Sequence, residues 1–364
     1  MSKSVIDRQG TRSVVPTIRV IAPSGPVAPI ELEMGIERMT RAGIPLEVDP
    51  RVYSSHRFFA GSDEDRLNSL LDAFYDPSVS AIWVARGGYG SARLLPSLLA
   101  AIKRRGKPKK KTLIGYSDAT ALQEFVMATL GWDAVHAPML GLKEFLTKTS
   151  EEDLKIFVSG MKKAFLRESK QKASPLKRLE AAKAKSWKPW GGSLEYLGGA
   201  RPQRPLNGLL VGGNLAVWCS LLGTPFQGRS RGTILFLEDI AEAPYRIDRM
   251  LVQLEQAGGL KGVRAVVLGS FTACHDVVSQ VLKSRPRLED LEEALKNPRP
   301  EWLRPIRAKM SEVEGVLSVF KDLAARTKIP VYSGFPAGHG GRRYPLQLGK
   351  RVYLTPLGKL KVES

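Results

Sequence analysis

Residues 112–120 read TLIGYSDAT, and Ser117 stands where an apolar strand-like run, TLIG, gives way to the helical text DATALQEFVMATL. A serine at such a joint has the setting of a nucleophile elbow, but it attacks a carbonyl at neutral pH only where a base takes its proton. Four histidines could serve: His56, His136, His275 and His339. His56 lies in the polar stretch SSHRFFAGSDED. His136 ends the short apolar run DAVH and reads equally well as a satisfied buried residue, and His275 adjoins a charged segment. His339, in GFPAGHGGRRYPL, follows a strand and is flanked by glycines that leave the backbone free to turn the imidazole, although glycine loops are also simply loops. A third group should be a carboxylate that orients the histidine and stabilises its cation. The segment ILFLEDIAEAPYRIDR ends an apolar strand on Glu238 and Asp239, where a buried acid would need a partner. Two other readings stay open: Asp239 or Glu242 as the cap of the next helix, and Glu238 as the partner of Arg246 or Arg249.

The elements that would position these groups follow from periodicity. From residue 17, short apolar runs alternate with amphipathic ones: TIRVIA and then 30–42, PLEV and then 63–75, SAIWVA and then 91–102, TLIGYS and then 118–130. Four strand–helix repeats of this length predict a parallel sheet with helices on both faces. Ligands bind such sheets at the carboxyl ends of the strands. The turns APSGP (22–26), ARGGYG (85–90) and GYSD (115–118) all lie on that edge. RGGYGSAR has neither the lysine of a phosphate-binding loop nor the spacing of a dinucleotide fingerprint. The pattern predicts a first α/β domain over 1–185, a Gly- and Pro-rich linker over 186–205, and a second, β-rich α/β domain over 206–364 with an inserted helical segment near 279–326.

The chain has 364 residues, enough for two cores, and 43% of it is hydrophobic. No apolar run approaches the roughly 20 residues of a membrane span, and the N-terminus lacks a signal-peptide core, so a cytoplasmic setting without membrane contact is expected. Cys219 and Cys274 fit no zinc spacing, and neither metal nor cofactor is expected. The formal net charge is +20, with lysines and arginines concentrated at 103–111 and 161–188. Such a surface favours anionic partners, but no aromatics interleave the lysines as base-stacking would require, so nucleic acid is not expected.

The motifs RGGYGSARLLPSL, GYSDATAL, HAPM, GGNLAVWCSLLGTPF, ILFLEDIAEAPYRIDRMLVQLEQAG and GFPAGHG followed by YPLQLG, in this order, resemble the serine LD-carboxypeptidases, or muramoyltetrapeptide carboxypeptidases. The resemblance runs from about residue 22 to about 355. It implies a flavodoxin-like N-terminal domain and a smaller swivelling C-terminal domain, with Ser117 as nucleophile, Glu238 and His339 as the other catalytic residues, and the active site between domains. It implies the backbone N–H of Gly88 as one oxyanion donor, and the backbone N–H of Asp118, at a helix N-terminus, is the natural second. Arg86 is a candidate for the substrate carboxylate, or equally for a structural salt bridge. The implied substrate is a murein tetrapeptide or muropeptide losing its terminal D-alanine in cell-wall recycling, and the implied assembly is a homodimer. The alternatives are an immunity-type hydrolase of peptidyl- or aminoacyl-nucleotide antibiotics and a non-catalytic nucleic-acid-binding protein on the same fold. The sequence departs from the family's pattern in opening with VVPTIRV rather than a Gly-Asp pair, in its lysines at 161–188 and in the long segment before PVYSGFP.

Overall fold

A computed structural model of the chain describes residues 4–6, 12–14, 17–147, 149–165, 190–275, 296, 312–341 and 343–363. Strands β1 (Ser4–Ile6) and β2 (Arg12–Val14) form an antiparallel hairpin. The predicted alternation then follows: β3 (Thr17–Ile21), α1 (Pro29–Arg41), β4 (Leu46–Val48), α2 (Asp63–Tyr75), β5 (Val79–Val84), α3 (Ser91–Arg105), β6 (Thr112–Gly115), α4 (Ala119–Phe125) and β7 (Asp133–His136). Strands β3 to β7 pair in parallel in the order β7-β6-β5-β3-β4. Apolar runs such as Ile82, Trp83 and Val84 are buried because helices cover both faces. The strand order reverses between β3 and β5, which opens a crevice at their carboxyl ends. The α/β parallel-sheet fold expected from periodicity is present.

Two further helices, α5 (Lys143–Thr147) and α6 (Glu151–Phe165), pack on the first sheet, with Phe145, Leu154 and Phe157 in its core. The second half contributes β8 (Glu195–Gly198), β9 (Leu206–Asn214), α7 (Leu215–Ser220), β10 (Thr233–Ile240), α8 (Pro244–Gln256), β11 (Ala265–Thr272), α9 (Glu312–Thr327), β12 (Val331–Ser333), β13 (Leu346–Leu348), β14 (Arg351–Leu354) and β15 (Leu360–Val362). A second sheet runs β15-β14-β9-β10-β11-β12-β8, parallel through β9 to β12 and antiparallel outside them. Its core includes Val211, Leu235, Leu251 and Phe320. Strands β8 and β13 do not pair with their chain neighbours. β8 lies within the stretch 186–205, where Gly and Pro density hid a strand that pairs with β12. β13 leaves the second sheet and pairs antiparallel with β7, Leu346 opposite His136, covering an edge that would otherwise expose unpaired backbone. The lysine-rich stretch at 161–188 falls largely outside the described residues. Of 279–326, residue 296 and most of α9 are described. Among the described residues no helix is long and apolar enough to cross a membrane.

The basic run at 103–111 is mostly a solvated connection, as its position between α3 and β6 suggests. Lys111 is the exception. It is buried, its Nζ donates to the carbonyls of Asp76 and Val79 at 2.6 Å each, and burial pushes its ammonium down to about 8.

Arg66 on α2 ties the crevice together. Its guanidinium is 1% exposed, donates to the Pro23 and Gly90 carbonyls in the turns after β3 and β5, and pairs with Asp63. Met at this position keeps the volume but leaves both carbonyls unpaired. Arg66→Met is therefore expected to destabilise the protein by roughly 3 kcal/mol in urea unfolding, because charge-assisted hydrogen bonds are lost inside the fold; a change near zero would show that these bonds are dispensable.

Candidate active site

Between β6 and α4 the chain turns within three residues, and Ser117 takes a φ of 60°. A non-glycine residue there is strained by about 1–3 kcal/mol, and such strain persists only where the surroundings enforce it. Here Asp118 does so. Its buried carboxylate accepts from Ser24 Oγ at 2.6 Å and from the Ser91 backbone N–H at 2.9 Å, while Ser91 Oγ donates to the Asp118 carbonyl at 2.7 Å. The turns after β3, β5 and β6 are thereby knotted together. Gly87 completes the approach: a Cβ on it would lie 2.9 Å from both Cβ and Oγ of Ser117, so only glycine fits, and its carbonyl accepts from the Gly25 N–H. Gly88, singled out from the sequence, is the next residue, at φ 99°. Gly87 was not singled out, although the paired glycines of RGGYG were the available signal.

Glu238 sits at the end of β10, fully buried. Its Oε2 meets His339 Nδ1 at 2.7 Å and also accepts the His339 backbone N–H at 3.2 Å. The loop presenting His339 is fixed from β11: the Gly340 N–H donates to Ser270 Oγ at 2.8 Å, and the Ser270 N–H donates to the Ala337 carbonyl at 2.9 Å. Gly338 has a φ of 110°, and a Cβ there would come within 2.6 Å of Glu238 Oε2, which explains a glycine immediately before the histidine. The His339 ring packs against Tyr116, with centroids 4.6 Å apart, and Tyr116 is the residue before Ser117. The structure thus brings Glu238 and His339 to the serine turn of the other sheet. Tyr116 and Ser270 carried no sequence signal of these roles.

Burial alone would push the Glu238 carboxyl up. The charges and hydrogen bonding of His339 and His136 outweigh it and hold the group down at about 2. With an anion held at Nδ1, that nitrogen carries the ring proton and the lone pair is left on Nε2. The neighbouring Asp239 goes the other way: burial, and then the adjacent Glu238 charge, raise it to about 6. Asp239 does not cap α8. It accepts from Asn214 Nδ2 at 2.8 Å and from the Ala216 N–H at 2.9 Å, at the start of α7. Glu238 pairs with His339, whereas Arg246 faces Glu242 at 3.8 Å and Arg249 lies over the Tyr245 ring.

The remaining candidates separate by position. His56 bridges to Phe59 in a tight turn, and His275 lies three residues beyond β11. His136 ends β7 with Nε2 3.7 Å from Glu238 Oε1. Arg86 donates from Nη1 to the Pro26 carbonyl at 2.5 Å, linking two of the three turns through a backbone acceptor rather than a salt bridge.

Comparison with known proteins covers both sheets. Residues 18–137 match the profile of the LD-carboxypeptidase N-terminal domain, and residues 207–354 match that of the LD-carboxypeptidase C-terminal domain. A probable murein peptide carboxypeptidase of Bacillus subtilis is 31% identical over 262 residues, 71% of this chain and 73% of its own. A murein tetrapeptide carboxypeptidase of Pseudomonas aeruginosa is 27% identical over 341 residues, 93% and 92% of the two chains. The crystal structure of muramoyltetrapeptide carboxypeptidase from Oxalobacter formigenes superposes with a TM-score of 0.64 at 28% identity, covering 95% of this chain and 97% of that one. A microcin C7 self-immunity protein shares the fold at 22% identity, with a TM-score of 0.68 and 97% of each chain covered.

The serine turn and the second sheet also meet through α4. The Asn214 N–H donates to Thr120 Oγ1 at 3.0 Å, and the Arg229 N–H reaches Glu124 Oε1 at 3.4 Å. Glu124 is 2% exposed with Oε2 unpartnered, and burial, only partly relieved by the Arg229 N–H, raises it to about 7. A folded-state value above the unfolded one favours folding most at low pH, and that contribution is lost as pH rises from about 4.5 to about 7. Glu124→Gln should therefore raise Tm more at pH 8 than at pH 4.5, a gain on the order of 3 kcal/mol if the full shift is realised. An equal effect at both pH values, read by thermal melts, would show that Glu124 does not titrate across folding.

Proposed function

The chain belongs to the LD-carboxypeptidase family, and from that membership we propose that it is a serine peptidase that releases the terminal D-alanine from murein tetrapeptides, with Ser117, His339 and Glu238 as its catalytic residues. The observation that carries this reading is the Glu238–His339 pair, closed at 2.7 Å, with its imidazole packed against the residue that precedes the strained serine. The murein-peptide names of relatives that align over most of the chain support the substrate class.

In the proposed reaction Ser117 Oγ attacks the carbonyl carbon between the L-centre of the diamino acid and D-alanine, and its proton passes to His339 Nε2. Glu238 keeps the resulting imidazolium oriented and neutralised. The oxyanion is met by the backbone N–H groups of Gly88 and Asp118, each typically worth roughly 10²- to 10³-fold in rate. The tetrahedral intermediate collapses with cleavage of the C–N bond, and His339 returns the proton to the departing amine. Water, deprotonated by His339, then hydrolyses the acyl-enzyme and restores the serine. The close approach of Gly87, where an added Cβ would fall 2.9 Å from Ser117 Oγ, supports this placement, because Gly88 is the next residue. Arg86 lies on the same turn and is the proposed partner of the substrate's terminal carboxylate. Cell-wall recycling in the cytoplasm is the setting that fits such a substrate.

Incubation with L,D-linked tetrapeptide is expected to release free D-alanine, detected by mass spectrometry. Ser117→Ala and His339→Ala should each lower turnover by roughly 10³-fold or more while leaving the melting temperature near that of the wild type. Turnover by either variant near the wild-type rate would overturn the assignment. Recognition of the carboxylate is checked separately: amidation of the terminal D-alanine should abolish cleavage, and the D,D-bond of the pentapeptide should be a poor substrate. Equal cleavage of the amide removes a carboxylate site, and preference for an aminoacyl-nucleotide removes the murein assignment.

A further inference from the structure

His339 occupies only one oxygen of the Glu238 carboxylate. The other, Oε1, faces Nε2 of His136 across 3.7 Å. Glu238 is fully buried, His136 is 1% exposed, and neither of the two facing atoms has a hydrogen-bond partner within ordinary reach. Two lone pairs directed at each other in a dry interior would repel, and a buried carboxylate oxygen left bare is costly, so the stable arrangement has a proton on His136 Nε2 aimed at Oε1. The separation is longer than a hydrogen bond, so the interaction is between an N–H dipole, or an imidazolium, and an anion.

The ring has little freedom to turn away. Its edge packs on Phe236 at 5.1 Å between centroids and it lies 5.6 Å from Tyr116. Its backbone is held on both sides, opposite Gly115 at the end of β6, which leads into the serine turn, and opposite Leu346 of β13. His136 therefore reaches Glu238 from the sheet that carries Ser117, whereas His339 reaches it from a loop tied to the second sheet. Resting on the catalytic reading above, we propose that His136 is a positioning residue of the reaction: it fixes Oε1 and lowers the proton affinity of the Glu238 carboxylate, so that the proton taken from Ser117 stays on His339 and the pair is completed only when the two sheets are docked.

The role has a distinct signature. A carboxylate relieved of His136 holds protons more tightly and favours the protonated form of the Glu238–His339 pair, so the acidic limb of the kcat/KM profile moves to higher pH. Among the described residues, the other ionisable groups around the pair are Tyr116, Asp239, Cys274 and Arg343, and all remain in the variants. His136→Leu removes the donor, while His136→Gln places an amide N–H close to the position of Nε2. With murein tetrapeptide as substrate, His136→Leu is expected to lower kcat roughly tenfold to a hundredfold, as when an outer hydrogen-bond partner of a ligating histidine is lost, with little change in KM and with the acidic limb displaced. His136→Gln should recover most of kcat and return the limb. ¹⁵N NMR of histidine-labelled wild-type protein should show His136 Nε2 protonated throughout the active pH range, a readout that needs neither variant to fold. A bare Nε2, wild-type kcat and limb in His136→Leu, or a loss that Gln does not restore and that leaves the limb in place would each overturn the proposal. If Ser117→Ala and His339→Ala are inactive in the same assay, such a result removes His136 alone; if they are active, the catalytic reading itself has failed.

Discussion

A carboxylate taken out of water must be met by charge or by donors, and that requirement at Glu238 organises the site. The acid ends a buried strand and has no contact with solvent. His339 meets one oxygen at hydrogen-bond distance and His136 faces the other. Two adjacent acids cannot both be anions in such a place at low cost. Glu238 is held down at about 2, while Asp239 beside it is pushed to about 6 and is occupied instead with the start of α7. The distribution of charge at the carboxyl end of β10 is thus settled by which acid the histidines can reach.

Holding an imidazole at that oxygen places demands on the loop behind it. The backbone passes so close to the carboxylate that only glycine fits at 338, and Ser270 anchors the two residues that flank the Gly338–His339 pair. On the opposite side, the strained turn at Ser117 is kept in place by the Asp118 carboxylate and by the contact with Gly87. Strain on one sheet and a buried ion on the other are therefore each supported locally. They meet where Tyr116 packs on His339 and where Asn214 and Arg229 reach α4. β13, which arises from the second half of the chain but pairs with β7, is a further tie between the halves.

Much of this was legible in the residues. Alternating apolar and amphipathic runs specify β3 to β6 and their helices, because strand and helix periods are properties of contiguous sequence. Ser117 was marked by a strand ending in glycine next to a helical start, Glu238 by an acid closing an apolar run, and His339 by its glycines. The spacing of Gly, Pro and charge was a poorer guide at 186–205, where an edge strand lies amid loop composition, and at Lys111, a lysine in a basic run that is buried where carbonyls at the end of α2 and the start of β5 need a donor.

The sequence by itself determined the α/β class, the three turns on one sheet edge and the short set of groups able to do acyl-transfer chemistry. Only the tertiary structure decided among them. It separated Glu238 from Asp239, gave His136 a place at Oε1 rather than that of an ordinary core histidine, and turned Gly87 into the contact with the serine. Each of these depends on distances between segments far apart in the chain, within one sheet edge for Gly87 and Ser117 and across the two sheets for Glu238 and its histidines, with 101 residues between Glu238 and His339. Local periodicity carries no information about them, because they are set by tertiary packing.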